Sequence, residues 1–244
     1  GNSPELLYFD VTRGDVPVNS VDVSFEAAKG IGYIKVSKFA RNTYNEFITA
    51  IAKLKQAGCT SFVIDLRGNT GGYMDAAINM INEFMPEGRL IVYTEGKSFP
   101  RSDVYANGTG TCKDAPIVVL TDEISASASE IFSGAIQDND RGTIIGRRTY
   151  GKGLVQTQMS LSDGSEMRLT IARYYTPSGR CIQKKYEMGN TDAYDQDIYN
   201  RYMHGEFDSA DSIKMDDSLK YQTVGGRTVY GGGGIMPDIF IPRD

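Results

Sequence analysis

The stretch PIVVLTDEISASASEIFSGAIQD, residues 116–138, decides the fold class because it runs from a strand directly into a helix. Its first eight residues, PIVVLTDE, begin with an apolar run and predict a buried strand. The second half predicts a helix that ends near Asp138. Three serines at alternate positions, Ser125, Ser127 and Ser129, lie where the strand gives way to the helix.

The same strand-to-helix order occurs twice before this stretch. GIGYIKVSKF (30–39) predicts a strand from its β-branched and aromatic residues, and a helix follows to about Ala57. SFVIDLRG (61–68) predicts a second buried strand, and GNTGG leads from it into a helix over about 73–85. Repeated units of this kind predict an α/β fold with right-handed crossovers and a partly parallel sheet. GNTGG and SASASE should then lie at the same edge of that sheet.

The remaining segments are less regular. Residues 1–29 predict a lead-in with two short strands, and residues 100–114 are polar and rich in glycine, which predicts a loop. VQTQMSL and SEMRLTIARYYT predict a hairpin across the Asp-Gly turn at 163–164. Residues 186–222 are charged, rich in tyrosine and weakly periodic, which indicates a surface insertion or a lid. A glycine turn and a final strand close the chain.

Composition and charge narrow the classes of function. The chain has 244 residues, 40% of them hydrophobic, so it can bury a substantial core. Its formal net charge of −5 gives no electrostatic reason to expect a nucleic acid or an anionic membrane as partner. No apolar run approaches the roughly 18 residues of a spanning helix, and no signal-peptide pattern is present at the start. The location of the protein is left open by these features.

Three cysteines, Cys59, Cys112 and Cys181, are scattered along the chain. They form no CxxC pair, and no Cys/His spacing suggests a metal site. We therefore expect buried or partly buried free thiols and no metal.

The GNTGG turn (68–72) allows two interpretations. Consecutive glycines permit a tight turn, and they also let backbone N–H groups at the start of a helix stabilise negative charge on a ligand. Dinucleotide binding is not indicated because no GxGxxG is present, and a P-loop is not indicated because no Gly-Lys-Ser/Thr follows. A simple turn and an anion or oxyanion site both remain open.

The three serines differ in what their positions favour. Ser125 precedes the helix, where its side chain would cap the first N–H groups and contribute ~1 kcal/mol. Ser127 would gain from the helix N-terminus, which stabilises the negative charge of a tetrahedral intermediate. The N–H of Ala128 would then be the first donor of an oxyanion hole. Ser129 is interpreted as a packing residue or a local hydrogen-bonding residue.

A serine nucleophile needs a base, and the choice here is restricted. The only histidine, His204, lies in the irregular 186–222 segment, which disfavours a Ser-His-Asp arrangement. A lysine base must be neutral, which requires a pKa lowered from ~10.4 toward ~7–8 by an apolar setting. Lys152 in TYGKGLVQ, between two glycines and beside an apolar strand, fits this requirement best. On this pattern alone, however, such a lysine is more often a turn residue than a base.

Five motifs follow one another along the chain: DLRGNTGG (65–72), SASASEIFSGAIQD (125–138), GRRTYGKGLVQT (146–157), LTIARYYTPSGR (169–180) and GGGIMPDI (232–239). This ordered set resembles the C-terminal processing proteases, the tail-specific peptidases of serine peptidase family S41. The resemblance extends over about residues 30–242. The lead-in, with TRGDVPVNSV, resembles the last strand of a PDZ domain and its linker.

The resemblance implies a catalytic set at matching motif positions. Ser127, the middle serine of SASAS, is implied as the nucleophile. Lys152, which follows 25 residues later, is implied as the general base. Gln156, four residues past that lysine, is implied as the residue that orients it.

Further roles are implied around this set. The oxyanion donors would be the N–H of Ala128 and one glycine of DLRGNTGG, with Gly71 favoured over Gly72. Asp138 would form an ion pair or bond a loop at the end of its helix. The residues implied as supporting are Glu130, Asp138 and Thr149.

The resemblance also implies a fold and an activity. The fold is the ClpP/crotonase-like ββα-superhelix over residues 30–244, in agreement with the α/β prediction. The reaction is endoproteolysis near the C-terminus of a protein or peptide substrate, through an acyl-enzyme and without metal or cofactor. The expected location is the cell envelope, periplasmic or extracytoplasmic, with membrane association only by location. The oligomeric state is not implied.

The chain departs from the family in one respect. Family members usually carry a PDZ domain that captures the substrate's C-terminal carboxylate as an added strand, and this chain has room only for that domain's edge. Substrate capture and the activity of these 244 residues are therefore open, and Lys152 could be turned away from Ser127. The strongest alternative is a non-catalytic ligand- or peptide-binding module on the same fold. An acyl-CoA enzyme of the crotonase type and an interaction scaffold are weaker alternatives.

Overall fold

A computed structural model describes residues 8–14, 18–186 and 191–243, and over these residues the chain has a mixed α/β fold. The helices are α1 (Thr43–Gln56), α2 (Met74–Asn82), α3 (Ala128–Asp138) and α4 (Thr191–Met203). The strands are β1 (Val21–Ala28), β2 (Ile31–Val36), β3 (Ser61–Asp65), β4 (Leu90–Gly96), β5 (Phe99–Tyr105), β6 (Ile117–Thr121), β7 (Thr143–Gly146), β8 (Leu154–Ser160), β9 (Glu166–Tyr175), β10 (Lys220–Gln222), β11 (Thr228–Tyr230) and β12 (Ile239–Phe240).

The main sheet has the strand order β1-β2-β3-β6-β7-β12 within the described residues. Five consecutive strands of this sheet run parallel to one another: β2, β3, β6, β7 and β12. Strand β1 pairs antiparallel with β2 at the edge. The predicted α/β class with a partly parallel sheet is therefore confirmed. Because these strands are parallel, the segments that follow β3, β6 and β7 emerge at one edge of the sheet.

The lead-in contributes to this sheet. β1 lies in the lead-in, for which the sequence predicts two short strands, and it forms the antiparallel edge of the main sheet. Parts of the segments predicted as lead-in and insertion, residues 1–7, 15–17 and 187–190, lie outside the described residues.

A second, antiparallel sheet has the strand order β5-β4-β9-β8. The hairpin of β8 and β9 turns at Gly164, whose φ of 83° fits the predicted Asp-Gly turn. The prediction of a loop over 100–114 is wrong in its first part, because β5 occupies residues 99–105. All but one residue of β5 are exposed, so the strand lacks the apolar alternation that would reveal it. Pro100 is tolerated there because β5 is an edge strand.

Aromatic packing joins the helices to the main sheet. Phe84, which follows α2, makes edge contacts with Phe47 of α1, Phe62 of β3 and Phe132 of α3, at ring-centroid distances of 6.2, 6.4 and 6.5 Å. All four rings are buried. This cluster fixes α3 against the sheet, and it thereby fixes the N-terminus of α3, which lies within SASAS.

The segment 186–222 is more regular than the sequence predicts. It contains α4 and β10, and β10 pairs with β11. No helix in the described part of the chain is long and apolar enough to cross a membrane. The three cysteines are free thiols, and no cluster of His, Cys, Asp or Glu among the described residues could hold a metal ion.

Candidate active site

The GNTGG and SASASE junctions meet at one edge of the main sheet, as their positions after β3 and β6 predict. The N–H of Ala126 donates to the carbonyl of Asn69 (3.0 Å), and the hydroxyl of Ser129 donates to the same carbonyl (2.9 Å). A Cβ atom on Gly71 would lie 2.7 Å from the Cβ of Ser127. This close approach and a φ of 99° both require glycine at position 71.

The three serines have separate roles in the structure. Ser125 is fully buried, donates its hydroxyl to the carbonyl of Leu66 (2.8 Å) and accepts the N–H of Asp122 (3.0 Å). The prediction that Ser125 caps α3 is therefore wrong, because its hydroxyl ties the junction to the end of β3. Ser129 is also fully buried, whereas Ser127 is partly accessible and is itself the N-cap residue of α3.

Ser127 has an unusual backbone conformation. Its φ of 56° and ψ of −112° lie outside the regions that residues with a side chain normally adopt. Such a conformation costs about 1–3 kcal/mol and persists only where the surrounding structure imposes it. The N–H of Ser127 donates to Oε2 of Glu130 (2.8 Å), which helps to hold this turn. This conformation presents Ser127 at a sharp turn between β6 and α3.

Glu130 joins the serine segment to the lysine segment. Its carboxylate is fully buried and accepts the N–H groups of Ser127 (2.8 Å), Gly151 (2.6 Å) and Lys152 (2.8 Å) and the hydroxyl of Thr149 (2.5 Å). Burial raises the pKa of the Glu130 carboxyl, and these four hydrogen bonds oppose the rise. One carboxylate therefore sets the separation between two segments that are far apart in the sequence.

Thr149 extends this network to the closing motif of the chain. Its hydroxyl accepts the N–H of Ile235 (2.7 Å), and its own N–H donates to the carbonyl of Ile235 (3.1 Å). Thr149 and Ile235 are both fully buried. GGGIMPDI therefore supports the segment that carries Lys152.

Lys152 and Gln156 both have exposed side chains and line the same groove, which has a volume of about 1100 Å³. Strands β4, β8 and β9 form much of this groove, and Tyr186 and Tyr194 line it as well. Lys152 also lines a smaller cavity of about 340 Å³, next to Ala126. The lysine thus lies between this groove and a pocket that Ala126, the residue before the serine, also lines.

The side chains of Ser127 and Lys152 are not hydrogen bonded to each other. The ammonium group of Lys152 makes no hydrogen bond or ion pair with any residue that the structure describes. The two residues are therefore linked in this structure through the backbone N–H groups that both donate to Glu130.

The expected oxyanion donors lie near Ser127, but their N–H groups differ in whether they donate a hydrogen bond in this structure. The N–H of Gly71 donates to Oδ1 of Asn69 (2.8 Å). Neither the N–H of Ala128 nor that of Gly72 donates a hydrogen bond within the described part of the chain. Gly72 backs directly onto the carbonyl of Phe39, so a side chain at that position would clash.

Comparison with known proteins identifies the family. Residues 30–192 match the family model of peptidase family S41. The chain belongs to this family. A carboxyl-terminal-processing protease of Synechocystis sp. is 38% identical over 179 residues, which cover 72% of this chain and 42% of the relative. A chloroplastic C-terminal processing peptidase of Tetradesmus obliquus is 38% identical over 159 residues, which cover 65% of this chain and 34% of the relative.

The S41 fold is also found among solved structures. The photosystem II D1 C-terminal processing protease superposes with a TM-score of 0.66 at 28% identity, over 95% of this chain and 50% of that chain. The resemblance to family S41 and the predicted fold class are thereby confirmed. The S41 chain spans half or less of the length of these relatives.

Asp138 lies at the other end of α3 from Ser127. It forms a buried ion pair with Arg180 and accepts the N–H (3.1 Å) and the hydroxyl (2.7 Å) of Ser178. The helix has 11 residues, which separates Asp138 from Ser127 by about 16 Å. In this S41 chain Asp138 therefore bonds the TPSGR loop and does not contact the serine.

Asn69 is a site residue that the sequence analysis does not single out. Its buried side chain donates to the carbonyl of Val36 (2.9 Å) and accepts the N–H of Gly71, so it shapes the GNTGG turn from inside. The signal was available, because asparagine in a glycine-rich turn commonly bonds the backbone two residues on.

Asp65 is a second such residue, at the end of β3. Its buried carboxylate accepts hydrogen bonds from the Tyr33 hydroxyl (2.5 Å) and from the guanidinium of Arg67 (2.7–3.1 Å), and Lys35 lies 3.4 Å away. Burial acts to raise the pKa of Asp65, but the hydrogen bonds from Arg67 and Tyr33 and the charge of Lys35 outweigh it, so the pKa is lowered. This network fixes the start of the loop that leads to Gly71.

Proposed function

We propose that this S41 chain carries the catalytic site of a serine endopeptidase, with Ser127 as the nucleophile and Lys152 as the general base. Gln156 orients the lysine, and the reaction uses no metal or cofactor. The observation that carries the proposal is the Glu130 carboxylate, which binds the backbone N–H groups of both Ser127 and Lys152. Two residues 25 positions apart are thereby tied to one buried carboxylate, which brings the backbone of the nucleophile close to that of its base.

Acylation follows from this arrangement. Oγ of Ser127 attacks the carbonyl carbon of the scissile peptide bond while the neutral amine of Lys152 takes the hydroxyl proton. A carbon–oxygen bond forms, and the carbonyl oxygen becomes an oxyanion. The carbon–nitrogen bond then breaks as the ammonium of Lys152 returns the proton to the leaving amine, which leaves an acyl-enzyme.

Deacylation reverses these roles. A water molecule gives a proton to Lys152 and attacks the ester carbonyl, and a second tetrahedral intermediate forms. Its collapse breaks the bond to Oγ of Ser127, which recovers a proton from the lysine. The substrate's new carboxyl terminus is released.

Two backbone N–H groups stabilise the oxyanion. The first is the N–H of Ala128, at the positive end of α3, and the second is that of Gly71 or Gly72. If Gly71 is the donor, its hydrogen bond to Asn69 opens as the substrate binds.

The lysine must turn toward the serine before it can act. Lys152 lines the cavity beside Ala126, and we infer that a change of its side-chain rotamer directs the amine toward the serine. Substrate binding completes the contact, because catalytic hydrogen bonds often tighten only in the complex with substrate.

The substrates are protein chains that the enzyme cleaves near their C-termini, which the similarity to C-terminal processing proteases supports. The groove of about 1100 Å³ is large enough for an extended peptide segment. We assign residues 1–29 to the end of a PDZ-like region and its linker, residues 30–244 to the peptidase core and residues 186–222 to an insertion or lid. The location is extracytoplasmic.

Cleavage of an unfolded protein tests the proposal. We expect the full-length protein to cleave fluorescein-labelled casein, and Ser127→Ala and Lys152→Ala each to lose more than about 10³-fold in rate. Ser133→Ala is the matched control, since this serine of α3 bonds only to helix carbonyls, and it should cleave within about twofold of the wild type.

The same assay separates the proposal from its alternative. Cleavage by Ser127→Ala at the wild-type rate would exclude this serine as the nucleophile. Absence of cleavage in the wild type, together with tight binding of casein that Ser127→Ala leaves unchanged, would favour a non-catalytic peptide-binding module.

A further inference from the structure

Arg201 of α4 reaches into the segment that carries Lys152. Its side chain is 5% exposed, although the other described side chains of α4 are exposed or partly exposed. Nη1 donates to the carbonyl of Thr149 (3.0 Å), and Nη2 donates to the carbonyl of Arg148 (2.7 Å). The guanidinium therefore bridges two consecutive carbonyls shortly before the proposed base.

Glu206 orients this guanidinium. Its Oε1 accepts Nε of Arg201 (2.9 Å), and its two oxygens accept Nε and Nη2 of Arg148 (2.7 Å each). A carboxylate held by two arginines in this way has little freedom to rotate. All three nitrogens of the Arg201 guanidinium consequently have a defined partner, which fixes the plane of the fork.

The segment 147–153 depends on such contacts. It connects β7 to β8 without regular secondary structure, so its carbonyl groups bind separate partners. Those of Gly151 and Gly153 accept the N–H groups of Lys184 (2.9 Å) and Tyr174 (2.7 Å). Glu130 holds this segment from the side of Ser127, through Thr149, Gly151 and Lys152. Glu130 accepts donors of this segment, whereas Arg201 donates to its carbonyls at Arg148 and Thr149.

A second contact brings α4 to the same segment. The ring of Tyr194 packs edge-on against the ring of Tyr150, with 6.3 Å between their centroids. The ammonium of Lys184 lies 4.1 Å from the Tyr150 ring centroid and 4.2 Å from that of Tyr194. Arg201 and Glu206 lie beyond residue 192, where the matched family region ends.

We propose that Arg201, oriented by Glu206, is a positioning residue for Lys152, and this inference rests on the proposed function. Arg201 touches no reacting atom. It acts through the backbone of Arg148 and Thr149, which sets where the lysine side chain begins. A displacement of about 1 Å at a catalytic group can reduce a rate by about 10²-fold.

The rate at which a fluorophosphonate labels the serine reports the activation of the nucleophile directly. We expect Arg201→Gln in the full-length protein to be labelled about 10- to 100-fold more slowly than the wild type. Arg201→Lys keeps the positive charge but lacks the planar guanidinium that binds two carbonyls at once, so it should restore only part of the wild-type labelling rate.

Arg227 supplies a matched control. Its guanidinium also has three partners: Nε and Nη1 pair with Asp140 (2.6 Å) and Asp238 (2.7 Å), and Nη2 donates to the carbonyl of Gln137 (3.1 Å). None of these partners belongs to the segment 147–153. Arg227→Gln should therefore be labelled within about twofold of the wild type, even where thermal unfolding shows a loss of stability.

The outcomes separate the inference from the proposed function. Labelling of Arg201→Gln at the wild-type rate, with Ser127→Ala unlabelled, would overturn the inference and leave the function intact. An equal loss in Arg227→Gln would also overturn it, because the effect would then be general. Labelling of Ser127→Ala would overturn the proposed function itself. If Arg201→Gln does not fold, the labelling rate of Glu206→Gln tests the inference instead. Slower labelling than in the wild type is expected, and labelling at the wild-type rate would contradict the inference.

Discussion

At the residue scale, the hydroxyl groups of SASAS show how position determines what a serine can do. Those of Ser125 and Ser129 are buried and donate to the carbonyls of Leu66 and Asn69, so they hold two loops together. Ser127 is the partly accessible one, and it has a positive φ at the start of α3. The strained turn exposes this serine and brings the N–H of the next residue beside it.

Gly71 and Gly68 provide a matched pair for the role of the GNTGG turn. Both have positive φ, but a Cβ on Gly71 would lie 2.7 Å from the Cβ of Ser127, whereas Gly68 faces open space. We expect Gly71→Ala to reduce casein cleavage by more than about 10²-fold, because the clash displaces the nucleophile. Gly68→Ala should cost only about 1 kcal/mol of stability from its backbone conformation. Similar activities of the two variants would contradict this account of the turn.

Glu130 supports a second prediction at this scale. Glutamine at position 130 would turn one amide N–H₂ toward hydrogen-bond donors, so Glu130→Gln should lower the free energy of unfolding by about 3 kcal/mol and slow casein cleavage. Urea unfolding and the cleavage rate measure the two effects. Glu123→Gln is the control, because Glu123 pairs with Arg147 nearer the surface (2.6 Å), and its loss should cost about 1 kcal/mol or less. Equal losses of unfolding free energy and of cleavage rate in the two variants would argue against a special role for Glu130.

At the element scale, β3 ends on a carboxylate whose ionisation stabilises the fold. The pKa of Asp65 is lowered in the folded state, so its stabilising contribution is present above the unfolded value of about 4 and is lost as the pH falls through the folded value. Asp65→Asn should lower the free energy of unfolding by about 2 kcal/mol near pH 7. The difference from the wild type should shrink as the pH falls below about 4.

Urea unfolding at a series of pH values tests this prediction. Asp163→Asn is the control, because the pKa of Asp163 is also lowered, by hydrogen bonds from Ser165, but this aspartate lies in the exposed hairpin turn. The Asp163→Asn variant should differ from the wild type much less than Asp65→Asn does at every pH, because the carboxylate of Asp163 is exposed to water. A difference between wild type and Asp65→Asn that does not change with pH would show that the ionised carboxylate is not the stabilising form.

Much of the secondary structure could be predicted from local patterns, because the strands and helices that form the core bury apolar faces. The alternation of β2, α1, β3, α2, β6 and α3 follows from these patterns, and it brings GNTGG to SASASE. β5 could not be found in this way, because its side chains are mostly exposed. The sequence likewise does not predict α4, because its apolar residues recur only weakly at helical spacing.

The candidate site was predictable where its residues lie in motifs and unpredictable where their partners are distant. The hydroxyl of Ser125 bonds to the carbonyl of Leu66, 59 residues earlier, and no local pattern indicates this partner over a helix cap. The contacts of Arg201 with Arg148 and Thr149 depend equally on tertiary packing. Glu130, three residues after Ser127, could be named from its motif, but its bond to the N–H of Lys152 could not.

At the scale of the whole molecule, the site is a product of the parallel sheet. The neighbouring strands β3, β6 and β7 end at the same edge, and the segments that follow them carry the glycines, the serine and the lysine in turn. Ligands bind at this edge in open α/β sheets because the loops there converge. Strands of the antiparallel sheet form much of the groove that Lys152 lines, and Tyr194 of the segment 186–222 lines the same groove.

The central claim, that Ser127 is activated by Lys152, is tested most directly by labelling with a fluorophosphonate and mapping the modified peptide by mass spectrometry. In the full-length wild type we predict a single adduct on Ser127. In Lys152→Ala, labelling should be slower by more than about 10²-fold while the protein remains folded. An adduct on another residue, or labelling of Lys152→Ala at the wild-type rate, would contradict the account.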